Sequence, residues 1–528
     1  MYRKFLLTGV CLLALAGAAS AEAVLNRGND TDPATLDHHR TSTVSEGNVL
    51  RDLYDGLTIQ DAKGEAIPGV AKSWDISEDG TVYTFHLRDN AKWSNGDPVT
   101  AGDFQFTFRR LMDPKTAAGY ASMLFVIKNA EDIAGGKKPT DQLGVEAVDD
   151  HTLKVTLNSP PAPYFLELLT HQTGFPLHQK SVEANGDKFT TPGKMVTNGA
   201  YMLESFTPPN DKIVMKKNPH YYEADQVKID TINWIPFEDR ASCMRRFEAK
   251  EVQICSDVPA EQMDYVKKNL SKEFRLAPYL GVYYLPVKGK TADSKLKDPR
   301  VRQAISLAID RDFIADQVWQ GTMLPGYSMV PPPHIANYVE DAPRLKYSDD
   351  MLEREDKAKE LLKEAGVEPN TLSVELRYNT SENNKNTMAA IADQLGNIGI
   401  KASLNETEGA TYFNYMRDDG PFDIARAAWI GDYNDPQNFL YISQSDVSFN
   451  YSKVKNADYD ALMEKAAKTL DLKERAKTLA EAEQLKLDEL SNIPILYYSS
   501  RALVSDKVEG WTDNLMDVHK TRWLSLKQ

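Results

Sequence analysis

The chain has 528 residues, 26% of them charged and 41% hydrophobic, and 62 basic against 77 acidic residues leave a net charge of −15. That length exceeds one hydrophobic core and predicts several domains, while so large an acidic surplus excludes nucleic acid as a partner, because phosphate binding needs a dense cationic surface. Three cysteines exclude both a disulfide-built scaffold and a multi-cysteine zinc site.

In chain order, Met1-Tyr-Arg-Lys4 is a short basic start, Phe5 to Gly17 is apolar, and Ala19-Ser20-Ala21 is a small-x-small site. This pattern predicts a secretory signal peptide cleaved near Ala21, and hence export. The apolar run is shorter than the roughly 20 residues a membrane span needs. Cleavage removes Arg3 and Lys4 and no acids, so the exported chain from Glu22 carries −17. Tyr83, Phe85 and Leu87 alternate with Val82, Thr84 and His86, and Leu153, Val155 and Leu157 alternate with polar neighbours, both strand patterns. Met244 to Lys250 reads as a helix end and Val252-Gln253-Ile254 as a strand, so Cys243 and Cys255 lie on elements that pack together. Export permits a disulfide between them; the alternative is two small buried hydrophobes, and spacing alone leaves both open.

Ala358, Leu361, Leu362 and Ala365 follow helical spacing, with Gly366 where the helix stops. Asp458 to Leu490 is helical with a break at Leu470-Asp471, and Ile493-Pro-Ile-Leu-Tyr-Tyr498 reads as a buried strand. Alternating strands and helices predict an α/β protein whose domains share the chain discontinuously.

Enzyme signatures are missing. There is no Gly-x-Ser-x-Gly elbow, no His-Glu-x-x-His helix and no Gly-x-Gly-x-x-Gly fingerprint, and Tyr284 stands where a phosphate loop ending in Gly289-Lys290-Thr291 requires glycine. His38-His39 is the only adjacent histidine pair, and neighbouring side chains diverge, so no metal site is expected. No cofactor and no catalytic residue is expected.

A series of segments carries a family likeness: Pro68-Gly-Val-Ala-Lys-Ser-Trp74, Tyr83-Thr-Phe-His-Leu-Arg88, Ala91-Lys-Trp-Ser-Asn-Gly96, Asn198-Gly-Ala-Tyr201, Lys217-Asn-Pro-His-Tyr-Tyr222 and Asp298-Pro-Arg-Val-Arg-Gln-Ala304. In order and spacing, the exported chain closely resembles the family 5 solute-binding proteins of ABC transporters, with the oligopeptide binders nearest. The resemblance implies the large type II periplasmic-binding-protein fold, α/β with two lobes, a hinge near residues 279–282 and 496–500, and an additional inserted domain. The implied division is residues 22–54, 179–280 and 498–528 in the first lobe, 55–178 in the inserted domain and 281–497 in the second lobe. It also implies a short peptide as ligand, an inner-membrane ABC permease as partner and a monomer. A cell-wall peptide, an opine or a metal chelate are alternatives within the family. An exported hydrolase is the alternative outside it.

By the same resemblance, Phe422 to Pro436 is the peptide-anchoring region. Asp432 would pair with the ligand's α-ammonium, because a cleft closing on a cation must supply an anion. Trp429 would wall a side-chain pocket beside Gly431, although a core role is the alternative. Arg426 and Arg417 would meet the peptide carboxylate, a task that suits a planar guanidinium; for Arg417 a surface pair with Asp418 or Asp419 is the alternative. Tyr120 would contact the peptide near its amino end. Ser42, Thr43 and Val44 would form an extended strand bonding the peptide backbone, with Gly281 and Tyr284 on the matching strand of the second lobe. The chain departs from close relatives where they carry an acid at Ser42, a tryptophan near Ala410 and a histidine near Asn384.

Overall fold

A computed structural model describes residues 22–527 apart from 31, 42, 159–163, 209–211, 238 and 333–334. Residues 1–21, and with them the expected signal peptide, lie outside the described residues, as does Ser42. Among the described residues no helix is long and apolar enough to cross a membrane.

Two 13-residue strands, Phe274–Pro286 and Asn492–Val504, pair antiparallel and form the axis of a nine-stranded sheet. Their β-branched and aromatic residues favour this extended state. On one side Ala427–Ile430 pairs with Phe274–Pro286 and ends the sheet. On the other side follow Ile254–Ser256, Val24–Asn29, Thr231–Pro236, Ile213–Lys217 and Tyr201–Ser205, with Val24–Asn29 parallel to both of its neighbours. The ninth strand, Leu324–Pro325, also lies against Asn492–Val504. The ladder between the two long strands breaks between Pro278 and Val282, within the stretch expected to hinge.

Residues 71–156 contain a four-stranded antiparallel sheet in the order Ala71–Ile76, Val82–Leu87, Thr152–Thr156, Val145–Asp149, with helix Ala101–Met112 packed on it. Residues 373–425 hold a parallel sheet of Lys401–Thr407, Ser373–Asn379 and Ile424–Ala425. The fold is therefore α/β, as expected. The strands at 82–87 and 152–156 form where the alternation placed them. Helix Met351–Glu364 is capped by Asp350 and stops at Gly366, which takes a φ of +68° that a side chain would oppose. The long helical stretch is split into Ala457–Lys468 and Leu472–Glu489, the second capped by Asp471.

Strand geometry dictates the core. Successive side chains of Phe274–Pro286 face opposite ways, so Tyr283 and Leu285 enter one hydrophobic cluster and Leu280, Val282 and Tyr284 enter another. A third and larger core runs without interruption from Leu25 and Leu53 through Phe85, Phe104 and Leu168 to Trp234. The expected first lobe and inserted span thus share one core rather than two.

Cys243 and Cys255 are disulfide-bonded, with Cα atoms 6.0 Å apart, tying helix Arg240–Glu248 to strand Ile254–Ser256. Geometry settles what spacing left open. The bond closes a short loop, with a sequence separation of 12. The Cys243→Ala/Cys255→Ala variant is expected to lose about 3 kcal/mol by the loop-entropy relation. Thermal melting with and without reductant checks this, and an unchanged melting point would contradict it.

Candidate functional site

The site is built around the end of one strand. Ala427–Ile430 pairs with the hinge strand in the register Gly281 to Ile430 and Tyr284 to Ala427, and its other edge is the free edge of the sheet. Pairing this close needs glycine at 281, where a Cβ would sit 2.6 Å from Ile430 Cδ1. The chain then turns at Gly431, whose N–H donates to the Leu280 carbonyl at 2.7 Å.

The turn that follows is pinned on every side. The Asn434 N–H donates to Glu167 at 2.8 Å, and the Asn434 side chain accepts from the Ala336 N–H at 2.9 Å. Asp435, wholly buried, takes both arms of the Arg475 guanidinium at 2.9 and 2.8 Å. This bidentate pair fixes the turn geometrically as well as electrostatically.

Asp432 is therefore held rigidly, its side chain only 16% exposed and 3.7 Å from His171 Nε2. Burial pushes its carboxyl up to about 7, with only the charge of Arg51 pulling it down. Burial, with Arg51 adding to it, holds His171 well below the usual imidazole range, so His171 is neutral and does not balance the carboxylate. Asp432 thus lacks a lysine or arginine at ion-pair distance among the described residues. Its folded value lies above the unfolded one. The stabilisation it gives the ligand-free protein is accordingly fully present below about pH 4 and lost as pH rises through about 7. Ligand-free wild type is expected to lose stability relative to Asp432→Asn between pH 5 and pH 8. Parallel melting curves of the two proteins across that range would refute the shift.

Aromatic side chains surround the carboxylate. Tyr120 stacks on His171 with centroids 5.6 Å apart and meets Phe449 at 6.0 Å. Its hydroxyl lies in the field of Asp432, Tyr451, Arg417 and Glu46. Trp429 is buried, donates its indole N–H to Asn438 at 2.8 Å and stands edge-on to Phe449 and Tyr441. It belongs to a core cluster, the alternative placement for it.

The arginines differ in their commitments. Arg426 donates to Tyr498 at 2.7 Å and Asn379 at 3.2 Å, its guanidinium lies over Tyr283, and its buried Nε has no partner among the described residues. Arg417 bonds Asn414 and the Tyr451 hydroxyl rather than pairing with either neighbouring aspartate, and Asp419 pairs instead with Lys288.

Two expectations are corrected. Thr43 is extended but serves as the N-cap of helix Val44–Leu53, in a reciprocal capping box with Glu46, so Val44 begins a helix and no strand forms there. Satisfying the first orphan N–H groups of the helix outweighs extension. Gly281 and Tyr284 do not offer a backbone edge either. Their strand is flanked by Ala427–Ile430 and Asn492–Val504, and Tyr284 pairs with Ala427 and Pro494. The sequence reading also missed Arg51, Glu46 and His171. Of these only Glu46 left a signal, the Thr43-Val-Ser-Glu46 capping pattern.

Residues 65–451 match the model of the bacterial extracellular solute-binding proteins, family 5. The chain belongs to that family. It is 38% identical to the periplasmic oligopeptide-binding protein OppA of Salmonella typhimurium over 97% of this chain and 96% of the relative. With the periplasmic murein peptide-binding protein MppA of Escherichia coli it shares 36% identity over 92% of this chain and 89% of the relative. Among solved structures it matches that murein tripeptide-binding protein with a TM-score of 0.88 at 34% identity, over 96% of this chain and 99% of the other. It matches Haemophilus influenzae OppA in complex with the peptide RPPGFSPFR at 0.87 and 36% identity, over 96% and 99%. An unliganded open form of the murein tripeptide binder gives only 0.74 at 33% identity over 96% and 98%. At near-equal identity, the chain superposes better on the peptide-bound relative than on that open form. The contacts of Asp432 with His171 and of Asn434 with Glu167 join residues more than 250 positions apart.

Proposed function

We propose that this family 5 protein is the periplasmic solute-binding component of an ABC importer, capturing short peptides between its lobes and presenting them to a membrane permease. The observation that carries this is Asp432, a buried carboxylate at the end of a free sheet edge, without a cation at ion-pair distance among the described residues. A peptide α-ammonium answers that charge, and the edge of Ala427–Ile430 offers backbone pairing that reads no side chains. Relatives named as oligopeptide binders, and one solved with a peptide bound, support the substrate class.

In this reading Tyr120 and Trp429 line the amino-terminal part of the cleft. Arg417 and the unpartnered Nε of Arg426 receive carboxylates of peptides of different length, while Thr43, at the opposite wall, is the extended residue left to meet the peptide backbone. The lobes divide at 22–54, 179–280 and 498–528 against 281–497, with 55–178 inserted. The signal peptide is cleaved after Ala21, the protein is a monomer, and no bond of the ligand is broken.

Native mass spectrometry of the protein with an equimolar mixture of di- to pentapeptides tests the reading. Complexes carrying intact peptide masses are expected. Peptide fragments in the supernatant would indicate a hydrolase, and failure to retain any peptide would refute peptide capture.

A further inference from the structure

Asp432 is followed directly by residues that pack against the other half of the chain. Tyr433 is 6% exposed, and among the described residues between 281 and 497 it alone joins the continuous core of the other half of the molecule. Its ring stacks on Tyr164 with centroids 4.7 Å apart and planes 22° from parallel. The next residue, Asn434, donates its N–H to Glu167, one turn further along the short helix Phe165–Leu168. Arg475 lies over the same tyrosine, 5.4 Å from the Tyr164 ring, while holding Asp435.

Three consecutive residues therefore do three things. Asp432 faces the ligand site, Tyr433 plugs the opposite lobe, and Asn434 bonds that lobe through its backbone. The turn is rigid within its own lobe, because the Arg475–Asp435 pair and the Ala336–Asn434 bond fix it there.

We propose that Tyr433 and Glu167 form a closure latch, in which Tyr433 seated on Tyr164 and the Asn434 N–H on Glu167 hold the lobes together over any ligand whose charge Asp432 accepts. The latch rests on the reading of this cleft as the ligand site. It touches no ligand side chain, so it sets how long the protein stays closed without setting which sequence is chosen. Tyr433 and Glu167 are thus positioning residues, separate from the anchor. The stacking is lost on opening, and a buried aromatic on a separable surface exchanges its partner ring for water. The unit is two-state by construction, since a ring either enters the opposing core or does not.

Single-molecule energy transfer between dyes placed at exposed sites on residues 55–178 and 281–497 measures the closed fraction and its lifetime, with and without tripeptides of different sequence. Tyr433→Ala is expected to shorten the closed lifetime about tenfold, as loss of an aromatic pair implies, by the same factor for each tripeptide. Tyr433→Phe keeps the ring and should stay within about threefold of wild type, while Glu167→Ala should cost about fivefold for the lost hydrogen bond, with Glu167→Gln retaining an acceptor. The melting point of Glu167→Ala should match wild type, which a purely structural role would not predict. Should Tyr433→Ala fail to fold, the Glu167→Ala and Glu167→Gln pair decides alone. Variants with wild-type closed lifetimes would overturn the latch, as would a wild type that never populates a closed state. A sequence-dependent effect of Tyr433→Ala would overturn it too, by making Tyr433 a ligand contact. If wild type binds no peptide, the peptide reading fails while the ligand-free closed fraction still judges the latch.

Discussion

Asp432→Asn is expected to weaken a free tripeptide by more than about 2 kcal/mol, roughly thirtyfold, while melting above ligand-free wild type near pH 7. Asparagine matches the shape and keeps an acceptor, so only the charge is removed. The charge matters because the site is buried: an ammonium brought to Asp432 leaves water, and nothing else at ion-pair distance among the described residues replaces the lost hydration. N-acetylation of the peptide removes the other member of the pair and should weaken wild-type binding comparably. Combining the two changes should cost little more than either one, because each deletes the same interaction. Calorimetry on the four combinations gives the coupling. Equal wild-type affinity for free and acetylated peptide would refute the assignment of Asp432.

Arg475→Met should destabilise the protein by about 3–5 kcal/mol, the usual cost of stranding one member of a buried ion pair. Both side chains are almost wholly buried, at 2% and 0% exposure, and Asp435 accepts both arms of the guanidinium. Removing arginine leaves a carboxylate whose remaining donors are the Gln437 N–H and Asn337. The same substitution should weaken peptide binding, since the turn carrying Asp432 loses its internal anchor. Replacing both residues, Asp435→Asn with Arg475→Met, should recover much of the stability but not the affinity. Urea unfolding and peptide titration report the two quantities separately. A wild-type unfolding midpoint for Arg475→Met would contradict the account.

Much of the secondary structure was legible because local patterns dictate it. Alternation at 82–87, the stop at Gly366 and the break at Leu470-Asp471 all appear where side-chain period and capping chemistry place them. Local chemistry also misled where it was only half read. Thr43 has the extended dihedrals expected of a strand, yet those are equally the dihedrals of an N-cap, and Glu46 decides between them. For Arg417, the neighbouring aspartates Asp418 and Asp419 suggested a surface pair. In the folded chain Lys288 takes Asp419, and Arg417 turns to Tyr451.

A series of short segments at fixed spacing was enough to identify the solute-binding family, and with it an α/β architecture. Only the tertiary structure decided the Cys243–Cys255 bond, the free edge at Ala427–Ile430, the neutral His171 opposite Asp432 and the seating of Tyr433 on Tyr164. The physical reason is range. Periodicity and capping act over a few residues, whereas burial, edge exposure and carboxylate desolvation depend on groups that folding brings together from hundreds of residues apart. Tyr433 and Tyr164 carry no mutual signal along the chain. They become a pair only in the folded chain.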